Sequence, residues 1–153
     1  MSIEITNAVS RFFASVDRLD WEAVCELMTN PFHVDYSSLS GDGPTDVSPV
    51  ALTESWAGFM PGYDQVHHQI GNVIVEQTED TAAVLCHGTA THFIAGVPEG
   101  DLQFVVGTYD IGLVHASDGW KLSSLRFNFK YASGNTNLPA LAVERIAARK
   151  HQS

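Results

Sequence analysis

Asp17, His68 and His92 are the residues of this chain whose types suit proton transfer without a cofactor. Histidine serves either half of such a reaction because its unperturbed pKa lies near neutrality. A carboxylate beside an imidazole fixes its tautomer and stabilises the imidazolium that forms. Asp17 falls at the end of a helix expected over residues 3–17, whose apolar stripe is Ile5, Val9, Phe12, Phe13 and Val16. The two histidines fall on neighbouring strands, expected over 65–77 and 81–95.

Alternation of side chains locates a pocket. His68 shares a face with Val66, Ile70, Asn72 and Ile74, and His92 with Ala82, Val84, Cys86, Gly88, Ala90 and Ile94. Strands over 102–115 and 119–131 set Leu102, Phe104, Val106, Thr108 and Asp110 on one face, and Leu125, Phe127, Phe129 and Tyr131 together on another. His68, His92, Thr108 and Asp110 are thus polar groups in apolar rows expected to face inward. Burial without a hydrogen bond costs about 1–3 kcal/mol, so four such groups predict one shared polar site. A β-bulge would reverse the parity of any row. His67, His68, His87 and His92 divide between both faces, so no metal site and no cofactor are expected.

The remaining elements form the container. Asp20 is a natural cap for a second helix over 21–28, which Asn30-Pro31 should stop. Phe32, Val34 and Tyr36 alternate with polar residues as in a strand, and residues 40–44 read as a loop. Ser48-Pro49 opens a third helix running to about residue 60. Residues 140–150 are good helix formers, and the segment 138–150 is placed to close the pocket or to form an interface. Helices followed by a long antiparallel meander predict an α+β fold, with a curved sheet burying one face on helices. At 153 residues the chain is expected to be a single domain over 1–153.

Composition narrows the partners. Eight basic against 18 acidic residues, a formal charge of −10, argue against nucleic acid and anionic membranes. No apolar run is long enough to span a bilayer, and residues 1–7 lack an apolar signal core, so a cytoplasmic location is expected. Cys25 and Cys86 lack metal-ligand spacing and read as reduced, buried packing residues.

Several phrases together resemble one family. They are Ala14-Ser15-Val16-Asp17-Arg18-Leu19-Asp20-Trp21, Val34-Asp35-Tyr36 with Ser38, His67-His68-Gln69-Ile70-Gly71-Asn72, and Thr89-Ala90-Thr91-His92. Gly107-Thr108-Tyr109-Asp110 and Asp118-Gly119-Trp120-Lys121 complete the series, which spans about residues 3–131. In order and spacing they resemble the SnoaL-like and scytalone dehydratase group of the nuclear transport factor 2-like superfamily. The resemblance implies a cone, a bent sheet wrapped around a long helix and enclosing one pocket. It also implies roles. Asp17 resembles the aspartate that pairs with a histidine in scytalone dehydratase, and His92 resembles that partner. His68 resembles the second pocket histidine, which is the aspartate-oriented base in the related hexachlorocyclohexane dehydrochlorinase. Tyr36 resembles a tyrosine holding a catalytic water, Thr108 a serine near the leaving group, and Asp110 a substrate-contacting asparagine. Val16 departs from the pattern, standing where the dehydratase has its other catalytic tyrosine, which argues against scytalone itself as substrate.

The expected chemistry is a cofactor-independent elimination. Asp17 would orient His92 or His68 as base, the other histidine would protonate the departing hydroxyl, and Tyr36 would polarise the carbonyl. Phe12, Leu39, Trp56, Phe59, Phe104, Phe127 and Phe129 are candidate walls for a ring-bearing or polyketide-like ligand. An isomerase or cyclase using the same base, and a non-catalytic small-molecule binder, remain the alternatives. The outer sheet face, with His67, Gln69, Val73, Val75, Leu85, Thr89 and Thr91, predicts a homo-oligomer, trimer or dimer.

Overall fold

The computed structural model describes residues 2–152. Helix α1 (Ser2–Asp17) forms on the predicted stripe, and Ile5, Val9, Phe12, Phe13 and Val16 are all buried. Asp20 caps α2 (Trp21–Glu26) by accepting from the Ala23 N–H at 3.2 Å. Asn30-Pro31 does not end this helix. It lies within strand β1 (Met28–Asp35), as a cis peptide at a break in the ladder between Met28 and His33. The expected loop carries two small elements on its flanks, α3 (Ser37–Ser40) and β2 (Thr45–Val47). Helix α4 (Pro49–Ala57) starts as predicted, with Ser48 Oγ accepting from the Ala51 N–H at 3.2 Å. It ends at Ala57, short of the expected residue 60, and a short 3-10 helix follows at Met60–Gly62.

Four long strands follow: β3 (Gln65–Gln77), β4 (Thr81–Phe93), β5 (Leu102–Ala116) and β6 (Gly119–Gly134). The six strands run in the order β2-β1-β6-β5-β4-β3, curved around α1 and not closed. The meander from β3 to β6 is antiparallel, whereas β1 joins β6 in parallel. The fold is therefore α+β, with the core between α1 and the inner sheet face.

Bulges decide which side chains enter that core. In β3 the pairing shifts between Gly71 and Ile74, where Asn72 has a φ of 50°. Val66, His68 and Ile70 face inward as expected, but beyond the bulge Asn72 and Ile74 turn out and Val75 turns in. The predicted parity of β5 is reversed. Its buried row is Gln103, Gly107, Tyr109, Ile111 and Leu113, so Phe104, Thr108 and Asp110 lie on the outer face. The outer row begins Leu102, Phe104 and Val106 while the inner row begins with the polar Gln103, so alternation points to the wrong face. In β6 a shift opposite Val106 and Gly107 pairs Phe129 with Gly107 and turns Tyr131 outward.

The C-terminal helix α5 (Leu138–His151) buries Leu138 and Ala142 against Tyr63, Val66 and Ile94. Arg145 clamps it, donating to the Gly62 carbonyl and pairing with Asp64, each at 2.7 Å. Arg149 donates to the Pro61 carbonyl at 2.8 Å. Cys86 is buried and Cys25 half-buried, both with free thiols. No helix among the described residues is long and apolar enough to cross a membrane.

Candidate active site

Asp17 is the last residue of α1, and His68 is the second inward position of β3. Their side chains meet at the helix end. Asp17 Oδ1 lies 2.6 Å from His68 Nδ1, and Oδ2 accepts from the His68 backbone N–H at 2.8 Å. One carboxylate thus holds both the ring and the strand that carries it. A carboxylate only accepts, so Nδ1 bears the proton and Nε2 keeps the lone pair. Both side chains are largely enclosed, 17% and 10% exposed. The neighbouring His67 is 70% exposed, its Nδ1 4.0 Å from the same carboxylate. Asp17 sits at the negative end of a helix that has no basic residue in its last turn. A carboxylate there costs helix stability, about 0.3–1 kcal/mol, and such a local conflict marks a residue held for another reason.

Of the two pairings left open by the sequence, the structure makes Asp17–His68 and not Asp17–His92. His92 lies on the inner row of β4, stacked on Tyr63 with centroids 4.6 Å apart. Its Nδ1 is buried and lacks a hydrogen-bond partner of good geometry. Burial pushes its pKa down to about 4, the nearby His68 adding to the shift and Gln103 and Asp17 opposing it. His92 is therefore a neutral imidazole at pH 7. The shift disfavours the cationic form of this second histidine.

Tyr36 precedes α3, with its ring 6.2 Å from Phe127. The residue keeps some exposed surface, but its hydroxyl environment is dry, and desolvation holds it well above the usual phenol range. Tyr109 was not singled out by the sequence. Its ring lies 4.9 Å from both Phe13 and Phe127, and Phe13 is 5.4 Å from the His68 ring. Burial, then Tyr36, Cys86 and Asp17, raise its pKa too. A signal for it did exist. Gly88 lies under this ring, where an added Cβ would come within 2.2 Å of Tyr109 Cε2.

The expected walls divide. Phe12, Trp56 and Phe127 are buried in the core, and Phe59 packs at its edge. Phe129 at the rim is 36% exposed and Leu39 is 48% exposed. Phe104, Thr108 and Asp110 stay outside, where Asn128 Nδ2 donates to Asp110 Oδ2 at 2.8 Å and to Thr108 Oγ1 at 3.3 Å. A hollow of about 360 Å³ reaches the dyad between α1 and β3, lined by Ser10, Phe13, Ala14, Asp17, His67, His68 and Ile70. Larger hollows lie elsewhere, one of about 760 Å³ beside α2 and the β5–β6 hairpin. Among the described residues no group of three His, Cys, Asp or Glu could hold a metal ion.

The pattern of the SnoaL-like domain matches residues 3–126. The chain belongs to the SnoaL-like family. This places it in the nuclear transport factor 2-like superfamily. Among solved structures, the Kfla4162 protein of Kribbella flavida is 26% identical, covering 91% of this chain and 96% of that one, with a TM-score of 0.83. A scytalone dehydratase candidate from Novosphingobium aromaticivorans is 15% identical over 88% and 87% of the two chains, with a TM-score of 0.73. A type 3 hexachlorocyclohexane dehydrochlorinase from Novosphingobium barchaimii is 14% identical over 88% and 90%, with a TM-score of 0.69. The last two likenesses show the fold alone. No curated protein matches the sequence.

Proposed function

We propose that this SnoaL-like protein is a cofactor-independent lyase, a dehydratase acting on a hydrophobic, ring-bearing or polyketide-like β-hydroxy carbonyl compound. The observation that carries the reading is the double engagement of His68 by Asp17, at 2.6 and 2.8 Å. It fixes ring orientation and tautomer together, which a general base requires. The scytalone dehydratase candidate and the dehydrochlorinase, which share this fold, support the same class.

His68 Nε2 takes the proton α to the carbonyl, and its electron pair becomes the new carbon–carbon double bond as the β-hydroxyl leaves. The imidazolium, stabilised by Asp17, returns that proton to the departing oxygen, so that water is released and His68 is regenerated. Tyr36, kept a neutral phenol by burial, donates to the carbonyl oxygen as enolate charge develops. His92 contributes hydrogen bonding as a neutral ring. Phe13 and Ile70 line the hollow beside the dyad and supply its apolar contact. Helix α5, clamped across the segment that carries Tyr63, serves as a cover on the His92 side.

The test is turnover of a panel of cyclic and aromatic β-hydroxy ketones, read by product mass. Loss of one water supports the dehydratase; unchanged mass with altered structure identifies an isomerase or cyclase instead. Ligands that bind and leave intact in every case would overturn the enzymatic reading. Exposed Ile74, Val73 and Leu85 on the outer sheet face favour self-association, for which a sedimentation measurement at micromolar concentration giving only monomer would be decisive against.

A further inference from the structure

His92 and Gln103 are direct partners in the β4–β5 ladder. Gln103 is only 6% exposed, a polar side chain on an otherwise apolar inner row. His92 Nδ1 and Gln103 Oε1 are each sealed from solvent, and neither has a hydrogen-bond partner of good geometry. The amide nevertheless interacts with the ring in the sense that favours its charged form, as an accepting oxygen does. A buried donor and a buried acceptor on directly paired residues can satisfy each other by a small side-chain rotation, and leaving both unpaired is costly. An amide oxygen only accepts, so Nδ1 carries the ring proton and Nε2 the lone pair.

We propose that Gln103 is a positioning residue that fixes His92 as the neutral Nδ1–H tautomer, so that Nε2 accepts a hydrogen bond from a substrate hydroxyl. The inference rests on the elimination reading above and adds a substrate feature, a free hydroxyl held beside the reacting carbons. A hydroxyl that donates to Nε2 turns its own lone pairs away from that ring, open to the proton returned by His68. The two imidazoles differ through their partners. Asp17 gives His68 an orienting group that also carries charge, whereas Gln103 orients His92 without charging it. The groups bearing on the charge of His92 are Gln103, His68 and Asp17, with Tyr63 stacked on its face.

Ring nitrogen NMR on the full chain tests this without a known substrate. Wild-type His92 should show a protonated Nδ1 and a bare Nε2 at neutral pH. Gln103→Leu removes the acceptor and should lower the Nδ1–H to Nε2–H ratio by about fivefold to tenfold. Gln103→Glu should raise the His92 titration midpoint by about one to three pH units. Phenol should perturb His92 Nε2 in the wild type and do so more weakly in Gln103→Leu, while toluene leaves it unmoved. Unchanged His68 signals report that each variant is folded. Should Gln103→Leu misfold, Gln103→Glu alone decides, an unmoved midpoint overturning the proposal. An Nε2–H tautomer in the wild type, or one indifferent to Gln103→Leu, also overturns it, and a missing phenol effect overturns the hydroxyl assignment. Failure of the dyad reading appears separately, as His68 signals that do not respond to Asp17→Asn.

Discussion

Asp17→Asn is the sharpest change at the residue scale, because it keeps the shape of the side chain and removes its charge. An amide facing His68 with its oxygen can still hold Nδ1, but it no longer stabilises an imidazolium. Turnover should fall by about 10²- to 10⁴-fold, with far-UV circular dichroism unchanged. His68→Gln should lose as much, and the double variant little more, since the two act as a unit. His92 links the site to stability. Its folded pKa of about 4 lies below the ordinary value of 6.5, so the unfolded chain takes up this proton first as pH falls. Nothing is lost above pH 6.5, and stability should drop through the window from 6.5 toward 4. Between about pH 6.5 and 5 the expected loss is about 2 kcal/mol. Urea midpoints of wild type and His92→Asn measured across that range should converge; parallel curves would show that His92 is not held neutral.

Strand irregularities carry the next scale. Asn72 adopts a φ of 50° at the β3 bulge, a conformation that a β-branched residue resists. Asn72→Ile should cost about 1–2 kcal/mol in urea unfolding, and Asn72→Gly far less. Gly88 is constrained by the Tyr109 ring above it, so Gly88→Ala should cost about 1–3 kcal/mol through displacement of that ring. Near-UV circular dichroism should register the displacement. These positions explain why some of the site was legible in the sequence and some was not. Alternation puts His68 and His92 on the correct, inner face because no bulge precedes them within their strands. Alternation puts Thr108 and Asp110 on the wrong face because Leu102, Phe104 and Val106 resemble an inner row more than Gln103, Val105 and Gly107 do. The same ambiguity hides Tyr109, which lies on the row opposite.

For the whole molecule, the connection between α5 and the site is the deciding feature. Leu138 is fully buried against Tyr63, Val66 and Ile94, two strand positions from His68 on one side and His92 on the other. Leu138→Ala should cost about 2–5 kcal/mol, read from the thermal or urea midpoint. It should also raise hydrogen exchange across residues 59–66, where Arg145 and Arg149 hold the carbonyls of Gly62 and Pro61. Unchanged exchange there would show that the clamp acts independently of the helix packing.

Local physics written in the sequence determined the helices, the meander and the candidate chemistry. An apolar stripe makes α1, Ser48 and Asp20 cap their helices, and alternation makes the strands, each readable within a few residues. Tertiary structure alone decided which imidazole receives Asp17, which one is buried beside Gln103, and which face of β5 meets the helix. Those choices depend on register between segments some fifty residues apart, where one bulge exchanges inside for outside.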